Sequence, residues 1–374
     1  MNIPFADHLL YRYVKERSFK GDKVAPSDSL RLSAVKRVLL IVTTGLGDAV
    51  LSTPVIPAIR SALPDADIRL FLRSGWVELF RNDPNINGII PYHGKYRRFY
   101  STVRALRSFS PQLTLVLHGN DPDIIPLAYL SGSRFIVRIP WKQTRYDFLL
   151  SNTGRQQDAE SLPDMHYIEN RLRILDTVNI HATEHATYLV LPEKALSDAA
   201  EKARAAFGSP ARYWIFHFFA ADGYKMWSEA KARGLIDAAL RALPHHRIIL
   251  TGGPRDRKTA ARLAKGFPRD RVCDMSGGMS LVETAACIAG ADFLVGPDTG
   301  ILHIAAALDV PTVALYAPTS SELVGPRSRS ARHRVIQKPP TCSPCPTKRC
   351  PQIPSTCMDQ ITIDEVLEEM RRAL

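Results

Sequence analysis

The sequence contains no long hydrophobic run. Hydrophobic residues make up 45% of its 374 residues, yet no stretch approaches the roughly 20 consecutive apolar residues that a membrane-spanning helix needs. The first twenty residues carry an early acid and lack the uninterrupted apolar core of a secretory signal peptide. We therefore expect a soluble, cytoplasmic protein. Its length suits two domains, because single cores rarely grow beyond about 250 residues.

Acidic residues are missing from two long stretches, although the chain as a whole has 37 of them. It has 49 basic residues, which gives a net charge of +12. Between Pro84 and Asn120 there is no acid, and basic residues alternate with aromatic ones. Such a stretch is either ordinary solvated surface or a docking surface for an anionic partner. The basic residues of this first stretch are Lys95, Arg97, Arg98, Arg104 and Arg107. A second acid-free stretch, Leu323 to Met358, raises the same two alternatives.

Cysteine is scarce, and four of the six cysteines lie close together, with the spacing C-x2-C-x4-C-x6-C. They are Cys342, Cys345, Cys350 and Cys357. The later gaps miss the paired C-x2-C pattern of structural zinc sites, and a reducing cytosol disfavours disulfides. We predict a structural loop with buried thiols and no metal site, with zinc binding as the alternative. The sequence also lacks helix-turn-helix, RNP and zinc-finger patterns, so we expect no nucleic-acid partner.

Continuously apolar runs alternate with helical segments along most of the chain. Such runs are typical of parallel strands that are buried on both faces, and the alternation predicts an α/β fold. The predicted strands are Arg37–Thr44, Asp67–Arg73, Leu113–Gly119 and Arg134–Pro140 in the first half, and Tyr213–Phe219, Arg247–Pro254, Asp292–Asp298 and Thr312–Pro318 in the second. We therefore predict two Rossmann-like domains that face a central cleft, with ligands at the carboxyl ends of the strands.

The predicted domain boundaries follow the same pattern, which is weak only between about residues 147 and 192. We expect an N-terminal extension over 1–36, an N-terminal domain over 37–190 and a C-terminal domain over 191–358. A last helix over 359–374 is expected to pack back toward the N-terminal domain. Helix starts are predicted from capping boxes at Ser280 with Glu283 and at Thr362 with Glu365, and from Thr53 as an N-cap.

The first candidate site is the segment "TTGLGDAVLSTPVIPAIR", which follows the first predicted strand. It has two glycines but lacks the third glycine of a dinucleotide-binding turn, because Val50 stands there. It also lacks the Lys-Ser/Thr pair of a phosphate-binding P-loop. What remains is a tight turn that presents Asp48 at the carboxyl edge of a sheet. Asp48 is either a general base that deprotonates a hydroxyl or the N-cap of the following helix.

The second candidate site lies in "GPDTGILHIAAALDVPTVALYAPT". A strand ends at Asp298 and a helix begins at Thr299 and Gly300, so free backbone N–H groups and the helix dipole could bind an anion. His303 lies about one turn into this helix. Asp298 either accepts hydrogen bonds from the hydroxyls of a sugar or ribose or caps the helix. Lys225, in the loop after another strand, could reach a phosphate at this helix start or be an ordinary surface lysine.

These segments resemble the lipopolysaccharide heptosyltransferases of glycosyltransferase family 9, which have the two-domain GT-B fold. The matching segments are "GLGDAVLSTPVIPAIR", "YKMW", "GGMSLVETAACIAGADFLVGPDTGILHIAAALDVPTVALYAPT" and "CSPCPTKRCPQIPSTCM", the last being similar to the heptosyltransferase II branch. The resemblance implies transfer of heptose from ADP-heptose, with inversion, to a hydroxyl of the lipopolysaccharide inner core. It implies no metal and no other cofactor.

The resemblance also assigns roles to individual residues. Asp48 falls at the position of the catalytic base, and Lys225 at the lysine that contacts the diphosphate. Thr299, Gly300 and His303 match the phosphate-binding helix start, Asp298 the acid that contacts the donor sugar, and Met279 a residue beside the adenine. The acceptor-binding residues on this interpretation are Gly47, Lys95, Arg97, Arg98 and Arg104.

The implied partners are a nucleotide sugar and a lipid-linked, phosphorylated glycan. The basic residues would also hold the enzyme loosely on the anionic inner face of the cytoplasmic membrane. Two alternatives remain open. The protein could use another nucleotide sugar on an O-chain or capsule glycan, or it could be a non-catalytic sugar-nucleotide-binding protein with the same fold.

Overall fold

A computed structural model describes residues 5–21, 23–139, 144–153, 165–208, 212–330, 332–340, 342, 350 and 357–373. The chain divides into two compact units, Met1–His185 and Ala186–Leu374. The division therefore falls a few residues before the boundary that the sequence predicts. Across the described ranges, no helix combines the length and the hydropathy needed to cross a bilayer.

The first unit is built around a five-stranded parallel sheet with the strand order β3-β2-β1-β4-β5. The strands are β1 (Arg37–Val42), β2 (Asp67–Arg73), β3 (Gly88–Tyr92), β4 (Leu113–His118) and β5 (Phe135–Arg138). The helices are α1 (Phe5–Lys20), α2 (Leu46–Leu51), α3 (Val55–Ala62), α4 (Val77–Phe80), α5 (Phe99–Phe109), α6 (Ile124–Leu130) and α7 (Tyr167–Asp176). The central strand β1 is almost wholly buried, as its apolar sequence predicts.

The N-terminal extension predicted over 1–36 contains the sixteen-residue helix α1, which packs onto the first unit. Leu10 and Val14 are buried in the same core as α5, α6 and one face of the sheet. The carboxylate of Asp7 is also buried, and it accepts hydrogen bonds from the hydroxyls of Tyr96 (2.7 Å) and Tyr146 (2.8 Å). A buried carboxylate with several donors fixes both the position and the rotation of α1.

The second unit contains a six-stranded parallel sheet with the strand order β11-β10-β9-β6-β7-β8. Its strands are β6 (Tyr213–Phe216), β7 (Arg247–Leu250), β8 (Val272–Asp274), β9 (Phe293–Pro297), β10 (Thr312–Tyr316) and β11 (His333–Gln337). Its helices are α8 (Glu193–Phe207), α9 (Glu229–Ala242), α10 (Arg257–Ala264), α11 (Leu281–Ala289), α12 (Gly300–Ala307), α13 (Ser321–Val324) and α14 (Ile363–Ala373). Both predicted capping boxes are confirmed, at α11 and at α14.

The last helix, α14, packs against α9, β10 and β11 of the second unit, and the expected packing toward the N-terminal domain stays a prediction. Its apolar residues Val366 and Met370 are fully buried in that unit's own core. The side chain of Glu365 also pairs with Lys338, at 2.5 Å. A strongly amphipathic helix is stabilised by whichever surface buries its apolar face, and here the core of the second unit does so.

The helix after β1 begins earlier in the sequence than the predicted N-cap, Thr53. Thr53 is not an N-cap, because α2 begins at Leu46 and the Thr53 hydroxyl donates to the carbonyl of Val50 (2.8 Å). A second helix, α3, begins at Val55 with Pro54 as its N-cap. Asp48 consequently lies in the first turn of α2 and is not itself an N-cap.

Each sheet has one point at which the strand order reverses. In the first unit this point lies between β1 and β4, and in the second between β6 and β9, as in Rossmann-type sheets. The loops that leave such neighbouring strands diverge to opposite faces of the sheet and leave a crevice at the carboxyl edge, where ligands of α/β proteins bind. Asp48 follows β1, and Asp298 follows β9.

Candidate active site

The carboxylate of Asp48 is held by the turn that connects β1 to α2. One oxygen, Oδ2, accepts hydrogen bonds from the backbone N–H of Gly45 (3.0 Å) and from the hydroxyl of Thr44 (3.0 Å). A side chain at position 45 would place its Cβ only 2.9 Å from that oxygen, so the close approach requires glycine. Asp48 thus closes the first turn of α2 and also presents a carboxylate at the carboxyl edge of the sheet.

The other carboxylate oxygen of Asp48 is paired with a buried cation. Nη2 of Arg171, on α7, donates to Oδ1 at 2.8 Å. The Arg171 side chain is only 1% exposed, whereas that of Asp48 is 21% exposed. His118, at the end of β4, places Nδ1 3.7 Å from Oδ2 and contacts the hydroxyl of Thr44. The carboxylate is therefore oriented from three sides and remains partly accessible.

These contacts decide the charge of the carboxylate. Burial alone would raise the pKa of Asp48, but the neighbouring His118 and Arg171 and the hydrogen bonds from the turn lower the pKa below its usual value. Burial lowers the pKa of His118, although the Asp48 carboxylate opposes that shift, so His118 adds positive charge beside Asp48 only where it is protonated, whereas Arg171 supplies positive charge at every pH. Asp48 is ionised throughout the physiological pH range.

A small cavity of about 50 Å³, which opens to solvent, adjoins this cluster. Its polar lining residues are His118, Asn120, Arg138, Tyr167, Asn170 and Arg171. Within the described part of the chain, Nε and Nη1 of Arg171 have no hydrogen-bond partner, although both are buried. The Arg171 guanidinium, which lines the cavity beside the Asp48 carboxylate, therefore has two buried donors that no described residue accepts.

In the second unit the structure brings together the residues that the sequence singled out in two distant segments. Nζ of Lys225 donates to Oδ2 of Asp298 at 2.5 Å, and Nε2 of His303 lies 3.6 Å from Oδ1. All three side chains are at most 19% exposed. Burial alone would raise the pKa of Asp298, but the adjacent imidazole of His303 and the charge and hydrogen bond of Lys225 hold the pKa far below its usual value.

The start of α12 adjoins this pair. Thr299 is the N-cap and Gly300 the first helical residue, and no side chain of the described segments caps the helix. Within the described residues, the buried Oγ1 of Thr299 and Nδ1 of His303 have no hydrogen-bond partner. Free backbone donors, the helix dipole and these two polar atoms thus meet at one place, as an anion site requires.

Two further residues of this unit, His217 and Gly296, lie together where β6 and β9 approach each other, and neither was among the predicted site residues. His217, after β6, is neutral, because burial lowers its pKa to about 4, and its Nδ1 lies 3.0 Å from the carbonyl of Thr251. A Cβ at Gly296 would lie 2.7 Å from the carbonyl oxygen of His217, so this glycine allows β9 to approach the end of β6.

Comparison with known proteins decides the family. The sequence signature of Glycosyltransferase family 9 (heptosyltransferase) matches residues 136–354, which is more than half of the chain. The chain belongs to glycosyltransferase family 9. It is therefore a glycosyltransferase, as the resemblance of its motifs predicts.

Individual members of family 9 support this assignment over most of the chain. Lipopolysaccharide heptosyltransferase 1 of Pseudomonas aeruginosa is 28% identical over 331 residues, which cover 85% of this chain and 88% of that protein. Lipooligosaccharide heptosyltransferase 2 of Campylobacter jejuni is 23% identical over 352 residues, covering 90% and 98%. Types 1, 2 and 3 all occur among the relatives, so the similarity to the heptosyltransferase II branch stays a prediction.

Solved structures of family 9 share the fold. The structure of E. coli ADP-heptose lps heptosyltransferase II superposes with a TM-score of 0.72 at 20% identity, covering 90% of this chain and 98% of that one. E. coli heptosyltransferase WaaC with ADP gives a TM-score of 0.64 at 20% identity, covering 90% and 100%. The predicted GT-B fold class is confirmed, and each of the two α/β units contains a parallel sheet.

The remaining predicted site residues of this family 9 protein lie near the same sheet edges. Met279 is in the loop after β8 and directly precedes Ser280, the N-cap of α11. Gly47 lies in the first turn of α2, beside Asp48. The exposed Lys95, Arg97 and Arg98 follow β3, whereas Arg104 is exposed within α5. Because β3 is two strands from β1, about 10 Å separate their ends.

The two acid-free stretches differ in three dimensions. In the second, Lys338 and Arg334 lie 2.5 Å and 3.9 Å from acids of α14, so this stretch is in part ordinary paired surface. In the first, Asp123 accepts a hydrogen bond from the backbone of Tyr96, but the basic side chains on either side remain exposed. The first stretch is therefore the better candidate for an anionic partner.

The cysteine-rich tail lies mostly outside the described residues, and Cys345 is among those omitted. Cys357 is buried, whereas Cys342 and Cys350 are partly exposed. In the described part of the chain, no group of three or more His, Cys, Asp or Glu residues could hold a metal ion. The predicted structural role of this tail stays a prediction.

Proposed function

We propose that this protein is an inverting heptosyltransferase that moves heptose from ADP-heptose to a hydroxyl of the lipopolysaccharide inner core. One observation carries the proposal: each sheet places a buried or half-buried carboxylate and its cation at the point of strand reversal. The names of the family 9 relatives, which include lipopolysaccharide heptosyltransferases, supply the sugar and the acceptor.

Asp48 is the proposed general base. The acceptor hydroxyl oxygen attacks the anomeric carbon of the heptose, and the bond between that carbon and the diphosphate oxygen breaks. The electron pair of this bond leaves with ADP, while the hydroxyl proton passes to Asp48. Attack from the face opposite the diphosphate inverts the anomeric configuration. The partial exposure of Asp48 and its ionised state support this role.

Arg171 is the proposed positioning residue for this base. Its Nη2 fixes one carboxylate oxygen at 2.8 Å, which leaves a defined direction for the incoming proton. The same charge keeps Asp48 ionised in a partly buried place.

Lys225, Thr299, Gly300 and His303 are proposed to hold the diphosphate. A lysine and a helix start place positive charge where negative charge grows on the departing ADP, which lowers the barrier to bond cleavage. With phosphate bound, the Lys225 ammonium, which has three N–H donors, can contact both the phosphate and Asp298. Asp298 is then proposed to accept hydrogen bonds from the donor sugar, and Met279 to lie beside the adenine. The proposed reaction includes no metal.

The acceptor is proposed to bind beside Asp48, at Gly47 and the exposed basic residues Lys95, Arg97, Arg98 and Arg104. A lipid-linked glycan that carries phosphates and acidic sugars would be attracted by these charges. The same charges would hold the enzyme at the inner face of the cytoplasmic membrane, at about 1 kcal/mol per basic residue near the surface.

The experiment that tests the proposed function is ADP release from ADP-heptose with a de-acylated, water-soluble inner-core acceptor. Acceptor-dependent release supports the proposal, and a panel of other nucleotide sugars measures donor preference. Faster release from another donor would favour transfer to an O-chain or capsule glycan. Binding of ADP-heptose without release of ADP, for every acceptor offered, would favour a non-catalytic binding protein.

The acceptor surface makes a separate prediction. Replacing Arg97, Arg98 and Arg104 by glutamine should raise the acceptor KM about tenfold or more, because three charges near a phosphorylated ligand are lost, and leave the donor KM unchanged. Steady-state kinetics measures both constants. A matched triple variant of exposed basic residues in the second unit, Lys194, Arg241 and Lys258, is the control. Equal changes of both KM values would contradict this role.

A further inference from the structure

Helix α1 exposes an unusual number of large apolar side chains. Phe5 is 77% exposed, Phe19 73%, Tyr13 50% and Leu9 49%. Phe5, Leu9 and Tyr13 follow one another at intervals of four residues, so they line up along one side of the helix. Soluble surfaces rarely expose several large apolar residues together without an interaction that uses them.

Basic side chains flank this apolar row. Arg12, Lys15 and Lys20 are exposed on the same helix, and Glu16 is its one exposed acidic residue and pairs with Lys20 at 2.5 Å. The other acid of α1, Asp7, is buried on the opposite side. The outer face of α1, defined here as Phe5, Leu9, Arg12, Tyr13, Lys15, Glu16, Phe19 and Lys20, therefore combines four large apolar side chains with three basic ones, and its one acid, Glu16, pairs with Lys20.

The exposure of this face is not a result of loose attachment. The opposite side of α1 is buried in the core of the first unit through Leu10 and Val14. Asp7 anchors it further, because it accepts hydrogen bonds from Tyr96 and Tyr146 and pairs with Arg145 at 3.1 Å. The helix can present only one face to the outside.

We propose that the outer face of α1 binds an anionic phospholipid surface, with the aromatic and aliphatic side chains inserted at the headgroup level and the basic side chains on lipid phosphates. This combination of residues is what an interfacial helix needs, since apolar burial and attraction to anionic lipids act together. The inference deepens the proposed function and rests on it only in that a lipid-linked acceptor requires access to a membrane.

A neighbouring element supports a lipid surface over a second copy of the chain. Helices α1 and α5 pack on α6, over the same face of the sheet. At the start of α5, Tyr100 is 89% exposed and lies among the exposed Lys95, Arg97 and Arg98. Two positively charged faces repel each other, whereas both would be attracted by an anionic bilayer.

The test is co-sedimentation of the full-length protein with vesicles. Phosphatidylethanolamine vesicles that contain phosphatidylglycerol are compared with pure phosphatidylcholine vesicles. The triple variant Phe5→Ser, Leu9→Ser, Phe19→Ser should lower the partition coefficient on anionic vesicles about tenfold or more. Leu196→Ser, at a similarly exposed leucine on α8 (40%), is the matched control and should bind as the wild type does. Wild-type binding should also weaken as salt is raised.

Three outcomes would overturn the inference: no binding of the wild type, equal binding to neutral vesicles, or unchanged binding of the triple variant. If the triple variant changes the oligomeric mass in light scattering but not vesicle binding, the face is an interface between copies instead. ADP release with the water-soluble acceptor should be the same in wild type and triple variant. That assay reports on the proposed function separately, so either proposal can fail without the other.

Discussion

Replacing Asp48 by asparagine should remove most of the transferase activity without unfolding the protein. Asparagine keeps the size of the side chain and one oxygen that can accept from Arg171 at the 2.8 Å position. It cannot accept a proton from the acceptor hydroxyl. Loss of a general base lowers kcat by about 10²- to 10⁴-fold, which corresponds to about 2.7–5.4 kcal/mol at 1.36 kcal/mol per tenfold.

The same substitution also carries a smaller cost in stability. If its oxygen faces Arg171, the amide NH₂ faces the N–H of Gly45, which now bonds to the carboxylate at 3.0 Å. One unsatisfied donor costs about 1–3 kcal/mol. A domain that retains even about 2 kcal/mol of unfolding free energy is more than about 90% folded, so unfolding cannot account for a hundredfold loss of rate.

The assay is ADP release under saturating donor and acceptor, with thermal denaturation of each variant measured in parallel. Glu365→Gln is the matched control, because Glu365 accepts from the N–H of Thr362 (2.8 Å) and pairs with Lys338, as Asp48 does with Gly45 and Arg171. This control should lose stability but keep kcat within about threefold, since it removes only a cap and an exposed ion pair. A folded Asp48→Asn variant with near wild-type kcat would refute the general-base role.

Three further predictions concern other contacts. Lys225→Met should lower kcat/KM for the donor about 10²-fold or more in steady-state kinetics, because it removes a cation proposed to contact the diphosphate, and an unchanged value would contradict that contact. Arg171→Met should move the acid limb of the pH–rate profile to higher pH, because loss of its charge raises the pKa of Asp48 and the base is inactive below that pKa. Arg171→Lys keeps a positive charge and should therefore show a smaller move. An acid limb that stays in place would leave Arg171 only a structural role. Trp227→Phe should lower the free energy of unfolding by about 1–3 kcal/mol in urea, because the buried indole N–H donates to the carbonyl of Met358 at 2.8 Å, while leaving kcat unchanged.

The central strands were predictable from the sequence, and three others were not, for one physical reason. The strands β3, β8 and β11 are three of the four edge strands, and none appears among the predicted runs; the fourth edge strand, β5, is buried along its whole length and was predicted. An edge strand packs on fewer neighbours, so it needs no continuous apolar run. The burial pattern of β11 shows this, because only Ile336 of its five residues is buried. The central strand β1, by contrast, was visible because burial on both faces demands an apolar sequence.

The residues of the candidate site also fall into those that could be predicted from the sequence and those that could not. Asp48, Asp298 and Lys225 were found because each follows a predicted strand at the edge where ligands bind. Arg171 was not, although it contacts Asp48, because it is 123 positions away on α7, in the stretch where the pattern is weak. A single arginine on a helix is expected to be exposed to solvent, and nothing in the sequence indicates that Arg171 is buried. His118 could have been found, since it ends the strand that neighbours β1 across the point of reversal.

The two clusters share no residue, and each is completed within its own unit. Thr44, Asp48, His118 and Arg171 belong to the first unit, and Lys225, Asp298 and His303 to the second. Substitutions that retune one cluster therefore need no compensating change in the other. On the proposed roles, a substitution in the first cluster would alter acceptor preference and one in the second would alter donor preference, so the two preferences could evolve independently of each other.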